Sequence, residues 1–334
     1  MLGRSGPWVI RRLKSIATRA ASWAGLALVS RRVLDEARTQ RRALFELARA
    51  GGAAHAAPRR DVARCVVFSR DRPMQLHALL SSYFEKAKNP AKVHVLYRAS
   101  SARFEAAYRE ALALFEDQAL SVTRETLFRD DLLLILRTAE AEKVFFLVDD
   151  VVFIEDVDIA DFIAPDTERF VPTLRLGRNL HRCYPEQARQ PLPTFVEGVV
   201  ADPDKLCWRW ADGKLDWGYP LSVDGHLFGA VEIALMAQAS SFTAPNSFER
   251  ALQGFADLFG DRWGVGYTKS KIVNIPWNRV QTENRNLAGT VHQDELLKRW
   301  EAGLQIDYRA LYGWANESAH QELPLRLVSR ECAF

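Results

Sequence analysis

The feature that most constrains this chain is an alternation running from residue 65 to residue 148. Cys65–Phe68 (CVVF), Val93–Tyr97 (VHVLY), Leu120–Thr123 (LSVT) and Val144–Val148 (VFFLV) are short runs rich in β-branched and aromatic residues, which predicts four strands. Between them lie three stretches of helical spacing. Pro73 opens the first, which carries Met74, Leu76, Leu79, Leu80, Tyr83 and Phe84. The second, 104–115, carries Ala107, Tyr108, Ala111, Leu112 and Phe115, and the third spans 127–141. Val144–Val148 is apolar at every position, as expected of a strand covered on both faces. The order implies an α/β fold with a mostly parallel sheet flanked by helices. In such sheets functional groups collect just beyond the carboxyl ends of the strands. Two of those ends are strongly polar here: Ser69–Arg72 (SRDR), and the pair Asp149-Asp150 that closes the most apolar strand.

Two adjacent carboxylates at a buried strand end repel one another and resist desolvation, so they call for a cation or for hydrogen-bond donors. Mg²⁺ or Mn²⁺ suits the pair, taking one or two carboxylates and filling its other positions with water and phosphate oxygens. The competing reading is a turn in which the aspartates bond backbone amides.

Val66–Pro73 (VVFSRDRP), with Leu76, Leu79, Leu80, Ser81 and Ser82 after it, resembles the opening of GT-A-type, family-2-like nucleotide-sugar glycosyltransferases of the bacterial surface-polysaccharide kind. Val144–Val151 (VFFLVDDV) resembles their fourth strand and metal-binding turn, and the two motifs lie about 80 residues apart, with two further strands between. The resemblance covers residues 64–153. It implies a Rossmann-like GT-A domain and a nucleotide-diphosphate sugar as donor. It implies Mn²⁺ or Mg²⁺ on Asp150, with Asp149 nearby, to neutralise the departing diphosphate. Ser69 belongs to the loop that meets the nucleotide. Arg70 and Arg72 would take phosphate or the base edge with their planar donor forks, and Asp71 a ribose hydroxyl or a uracil-like N–H. A solvated loop in which the arginines pair with Asp71 is the alternative.

Beyond Asp150 the alternation fades. Leu174–Gly177 reads as a short strand and 185–193 as a loop, and residues 208–226 are rich in tryptophan, carboxylates and glycine. Aromatic faces stack on sugar C–H surfaces, which suits a saccharide acceptor, although at least two of Trp208, Trp210 and Trp217 are expected in the core. An inverting transferase needs a carboxylate to take the acceptor proton; Asp224 is the candidate, Asp216 its reserve, and Asp224 could instead cap a helix. Glu249 falls in a helix over 248–258 capped by Asn246 or Ser247, where it serves the helix dipole or faces the acceptor. A late histidine completes the metal site in related transferases, which makes His226 and His292 candidates, against the ordinary reading of surface or hydrogen-bonding residues. Ile272–Asn278 reads as a late strand, 296–300 as an amphipathic helix, and the tail beyond Tyr312 shows no legible chemistry.

Charge divides the chain. Of 45 Lys+Arg and 42 Asp+Glu, 13 and 3 fall in residues 1–60, which leaves 32 against 39 for the rest. Within the leader, Val9, Leu13, Ile16, Ala17, Ala20, Trp23, Ala24 and Ala27 share one helical face and the basic residues the other. The longest uncharged run there, Ala20–Ser30, has 11 residues against the roughly 20 that span a bilayer. A helix lying on an anionic membrane surface through residues 1–30 is one reading; a helix packed on protein and a cleaved signal are the others. A second helix bears Val33, Leu34, Ala37, Leu44, Phe45 and Ala48, and a Gly- and Ala-rich linker, 50–58, ends it. The expected organisation is a leader, 1–58, and a catalytic body, 61–334, with a nucleotide half to 155 and an acceptor half from 156. Four scattered cysteines without a CxxC pair indicate neither zinc nor a disulfide framework, and fit a cytoplasmic protein at the inner face of a membrane. A sugar nucleotidyltransferase is disfavoured because Ser69–Pro73 contains no glycine for a phosphate loop. A non-catalytic glycan-assembly scaffold of the same fold is the other alternative. Nucleic acid is excluded as a partner because the body is acidic.

Overall fold

In the computed structural model, residues 31–54, 61–138, 140–278 and 291–330 are described. They divide into two units, one ending at Ala54 and the other formed by the rest. The first contains helix α1 (Arg31–Ala54), which continues through Gly51 and Gly52, so the expected linker is helical over its first residues. The basic amphipathic segment at 1–30 lies outside the described residues.

In the second unit, β1 (Asp61–Arg70), β2 (Lys92–Arg98), β3 (Leu120–Arg124) and β4 (Ala141–Val148) alternate with α2 (Pro73–Lys86), α3 (Ala102–Ala113) and α4 (Phe128–Thr138). Pro73 sits in the first turn of α2, where its missing N–H costs nothing, and Ser101 caps α3 by accepting from Phe104 N. The strands are parallel in the spatial order β3-β2-β1-β4, with Cys65 opposite both Val93 and Phe145. The chain leaves β1 toward β2 on one side and returns to β4 on the other, so the switch in direction lies between β1 and β4, where ligands bind in open sheets. Both polar strand ends named above flank that point.

The third helix ends at Thr138, and Ala141 already belongs to β4. A strand that the sequence did not suggest, β8 (Leu227–Gly229), closes the sheet by pairing antiparallel with β4, Leu227 opposite Phe145. Its start therefore lies at the carboxyl end of β4. Beyond the Asp149-Asp150 turn, β5 (Val151–Phe153) pairs antiparallel with β10 (Ile272–Asn274), and β6 (Phe170–Gly177), β7 (Lys205–Arg209) and β9 (Trp263–Tyr267) form a second sheet in the order β7-β9-β6. The longer remaining helices are α5 (Ala230–Gln238), α6 (Pro245–Gln253) and α7 (Gln293–Glu301). The core under the switch point joins Cys65, Val67, Leu79, Val95, Phe145 and Leu147 to Leu174 and Ile272.

Two local expectations change, and a third, that at least two of the three tryptophans at 208, 210 and 217 lie in the core, holds for all three. Asp224 does not open a helix: Gly225 turns the chain at φ +74°, a conformation that suits glycine, and β8 follows. The helix at 245–253 is neither capped by Asn246 nor extended to Leu258; Ser247, in its first turn, reaches back to accept from the N–H of Ala244. Trp208, Trp210 and Trp217 are all buried, with ring centroids 4.9–5.0 Å from Trp208 to the other two, so none offers a face to a sugar.

Candidate active site

The carboxyl ends of β1 and β4 border a cleft of about 600 Å³. On its β1 side a relay of hydrogen bonds fixes Asp149. Oδ2 accepts from Ser69 Oγ at 2.8 Å and from Arg70 N at 3.1 Å, and Oδ1 accepts from Arg72 Nη1 at 2.9 Å. Ser69 spends its one proton on Asp149, so Tyr108 Oη, 2.6 Å away, donates to Ser69, and it accepts from Arg72 N at 3.0 Å. Asp150 is held from the other side of the cleft floor. Its Oδ2 accepts from the same Arg72 Nη1 at 3.0 Å and its Oδ1 from Asn274 Nδ2 at 2.8 Å, while Ile275 N bonds its carbonyl at 2.8 Å. Arg72 Nη2 donates to the Asn278 carbonyl. Burial pushes the Asp150 carboxyl up to about 6, with the Asp149 charge adding to the rise and Arg72 opposing it. Burial lowers the Arg72 pKa, but Asp149 and Asp150 outweigh it and hold the guanidinium firmly charged.

A divalent ion on this turn would take carboxylate oxygens as ligands. All four oxygens of Asp149 and Asp150 already accept from protein donors, and the guanidinium occupies the bridging position between them. Among the described residues no group of three or more His, Cys, Asp and Glu is arranged to hold a metal ion. As they stand, these residues leave no bridging position between the two carboxylates for a divalent ion.

The opposite wall is built around Arg175, on β6 and 5% exposed. Its Nη1 donates to Ser222 Oγ at 2.7 Å, its Nη2 to Asp216 Oδ1 at 2.9 Å, and Nη1 lies 3.8 Å from Asp224 Oδ2. His320 Nε2 lies 3.3 Å from the same Asp224 oxygen. Asp224 Oδ1, by contrast, is buried with no protein donor. Gly225 places this carboxylate: its N–H donates to Phe146 O at 2.7 Å in β4, and its carbonyl accepts from Leu174 N at 2.9 Å in β6, so the turn is tied to both sheets. Burial raises the Asp224 pKa, but the His320 hydrogen bond and charge and the Arg175 charge outweigh it, and the group is held below the ordinary carboxylate range. Glu249 Oε1 accepts from Tyr219 Oη at 3.0 Å, and Oε2 from Val223 N at 2.8 Å and Ser222 Oγ at 3.3 Å. Burial and the nearby Asp224 charge push it upward.

The structure thus brings Ser69, Arg70, Arg72, Asp149 and Asp150 to one side of the cleft and Asp216, Asp224 and Glu249 to the other. It does not bring the rest there. Asp71, at φ +52°, turns into the β2–α3 loop and accepts from Ser100 N at 2.7 Å. His226 is buried beside Trp210, its Nδ1 3.0 Å from the Pro220 carbonyl; burial and Arg175 lower its pKa to about 3, so it is neutral. His292 sits at the N-terminus of α7, where its ring accepts from Asp294 N. Neither histidine lines the cleft. Two functional residues had no sequence signal. Arg175 lay in an unremarkable strand. His320 belongs to the tail read as empty of chemistry; it reaches the cleft because Asn274 N bonds Ala319 O at 2.9 Å and Gln321 N bonds Asn274 O at 3.0 Å, so the tail lies against β10.

Fold and site together define a mixed α/β protein whose switch-point cleft faces an ordered arginine and two aspartates on one side and a carboxylate cluster on the other. No protein-family model matches the chain. Over 221 residues it is 22% identical to the bifunctional glycosyltransferase pgtA of Dictyostelium discoideum, an overlap of 61% of this chain and 26% of that protein. The chain therefore spans about a quarter of that relative's length. Among solved structures it is similar to the apo structure of the bifunctional glycosyltransferase WbbM (12% identity, TM-score 0.33, 60% of this chain and 38% of that one). It is also similar to the mannosyltransferase PcManGT from Pyrobaculum calidifontis in complex with GDP-Man and Mn²⁺ (16% identity, TM-score 0.28, 44% and 46%).

Proposed function

We propose that the chain is a GT-A-type glycosyltransferase that moves a sugar, with inversion, from a nucleotide-diphosphate donor to a saccharide or lipid-linked acceptor. The observation that carries this reading is the pairing in one cleft of two halves the reaction needs: charged donors at the switch point, and a carboxylate oxygen with no protein partner, Asp224 Oδ1, in the facing wall. The sequence relative, itself a bifunctional glycosyltransferase, agrees with it.

In this reading the nucleotide lies over the end of β1, its phosphates toward Arg70 and Arg72. An acceptor hydroxyl hydrogen-bonded to Asp224 Oδ1 attacks the anomeric carbon from the face opposite the diphosphate. The proton passes to Asp224, the new C–O bond forms, and the nucleotide diphosphate leaves with the electrons of the bond that breaks. Arg175 and His320 keep Asp224 charged and oriented. The charge growing on the leaving group falls beside a guanidinium that is already fixed, so little reorganisation is needed at the moment of reaction. No described helix is long and apolar enough to cross a membrane, and the basic residues of the leader would hold the enzyme against anionic lipid.

Asp224→Asn tests the assignment. Transfer is expected to fall about 10²–10⁴-fold, the range for loss of a general base, while nucleotide affinity measured by calorimetry stays at the wild-type value. An active variant removes Asp224 from this role.

A further inference from the structure

The Asp149-Asp150 turn resembles a metal-binding turn in sequence, yet the geometry around it points to another cation: we infer that Arg72 is the built-in positive centre of the donor site, and that nucleotide-diphosphate binding requires no divalent metal. The inference rests on the reading of the cleft as a donor site and adds what supplies its charge.

Three observations carry it. The first is the oxygen accounting. Asp149 Oδ1 and Asp150 Oδ2 share Arg72 Nη1 at 2.9 and 3.0 Å, Asp149 Oδ2 is taken by Ser69 and the Arg70 amide, and Asp150 Oδ1 by Asn274. A metal bridging the two carboxylates would have to displace the arginine, and one on Asp150 Oδ1 alone would share that oxygen with Asn274 and sit beside the guanidinium charge. The second is how firmly the arginine is placed. Its backbone N–H is bonded by Tyr108, its Nη2 by the Asn278 carbonyl, and its side chain is 10% exposed. A guanidinium held on three sides is part of the architecture, and its five N–H donors in a fixed planar fork allow it to bridge two carboxylates while keeping further N–H groups for a ligand. The third is that one such group is left over: Arg72 Nε is buried with no protein acceptor. A buried, charged donor without a partner is costly, and a phosphate oxygen would satisfy it. Arg70, with its side chain 44% exposed at the same strand end and its Nε 4.0 Å from Asp71 Oδ2, is available to the second phosphate. The carboxylates then act as the anchor of the arginine, which explains why two are needed where one cation binds.

The test uses the full chain and two titrations. In the first, UDP, GDP, ADP and CDP are titrated calorimetrically in EDTA and again with Mn²⁺. The nucleotide that binds is expected to do so with the same affinity in both, within roughly threefold. Binding seen with Mn²⁺ and abolished by EDTA overturns the inference and leaves the transferase reading standing. In the second, Mn²⁺ alone is titrated and followed by the loss of the free-ion electron paramagnetic resonance signal. Wild type is expected to show no saturable site, whereas Arg72→Ala, which releases one oxygen of each aspartate, is expected to gain one. A saturable Mn²⁺ site in wild type that Asp150→Asn removes contradicts the inference whether or not any nucleotide binds. Absence of nucleotide binding under every condition counts against the donor-site reading itself. Circular dichroism of both variants shows that the fold is intact, and Arg72→Lys, which keeps the charge but loses the fork, should bind the nucleotide more weakly than wild type and still without metal.

Discussion

Replacing Arg175 by methionine removes a buried cation while keeping much of its apolar stem. The side chain is 6% exposed, lies 2.9 Å from Asp216 and 3.8 Å from Asp224, and donates to Ser222. Breaking a buried ion pair by deleting one partner costs about 3–5 kcal/mol, because the other charge is left unpaired in a poorly solvated place. Asp216 loses its charged partner while Asp224 keeps His320, so the middle of that range applies, and for a body of this size about 4 kcal/mol corresponds to a fall of roughly 6–8 °C in Tm. The sign of the pH dependence is fixed by the same argument. In wild type the Asp224 carboxyl is held below the ordinary range by His320 and by Arg175, so the stabilisation this supplies is complete above the unfolded pKa near 4 and is lost as pH falls through the folded pKa. The variant lacks the Arg175 share of it. The gap between wild type and variant, measured by urea titration, should therefore be at full size at pH 7.5 and narrow only as the pH falls below about 4. Adding Asp216→Asn to Arg175→Met should recover part of the loss. A gap below about 1 kcal/mol at pH 7.5, or one that widens on acidification, refutes the electrostatic account of this wall.

Other elements give equally direct outcomes. Gly225→Ala puts a methyl at φ +74° and 2.6 Å from Ile272 Cδ1, so the variant should lose on the order of 2 kcal/mol in urea denaturation and transfer poorly, because the turn that presents Asp224 has to shift. His77, 6% exposed and packed on Trp300 and Phe115, has its pKa lowered to about 4 by burial and by Arg330. It folds neutral, so its contribution is complete above pH 6.5 and falls away as the pH drops toward 4, a loss of about 3 kcal/mol by then; His77→Leu should flatten the acid limb of the urea midpoint against pH.

The parallel half of this protein is legible in its sequence because its signals are local. Val144–Val148 is apolar at each position since β4 is covered on both faces, and a strand of that kind must release its first polar residues, Asp149 and Asp150, at the crevice. The boundaries of β1, β2 and β3 shift by a few residues at most for the same reason. The facing wall is a matter of long-range placement. Asp224 was visible as a carboxylate beside glycine, but its position depends on β8 running antiparallel to β4, a pairing carried by only three residues. Arg175 and Asp216 are 41 residues apart, and Arg175 and His320 are 145 apart. No periodicity links such positions, and a histidine in an irregular tail offers nothing to distinguish it until the tail lies against β10. His226 and His292 illustrate the converse, in that residue type alone selected them. One is neutral in the core and the other serves a helix end, while the histidine that lines the cleft lay elsewhere. The Asp149-Asp150 motif was read from its own chemistry, whereas its partner Arg72 comes from a different strand end, and only the β1–β4 pairing shows that the two belong together.

The central claim is that the cleft consumes a nucleotide sugar. Its most direct test is release of nucleotide diphosphate by the 334-residue chain, incubated with a panel of UDP-, GDP-, ADP- and CDP-linked sugars, with and without saccharide and lipid-linked acceptors. One donor is expected to be consumed, slowly alone and faster with an acceptor, with release lost in Asp224→Asn. Turnover of none of the donors under any acceptor condition, or release that Asp224→Asn leaves unchanged, contradicts the account.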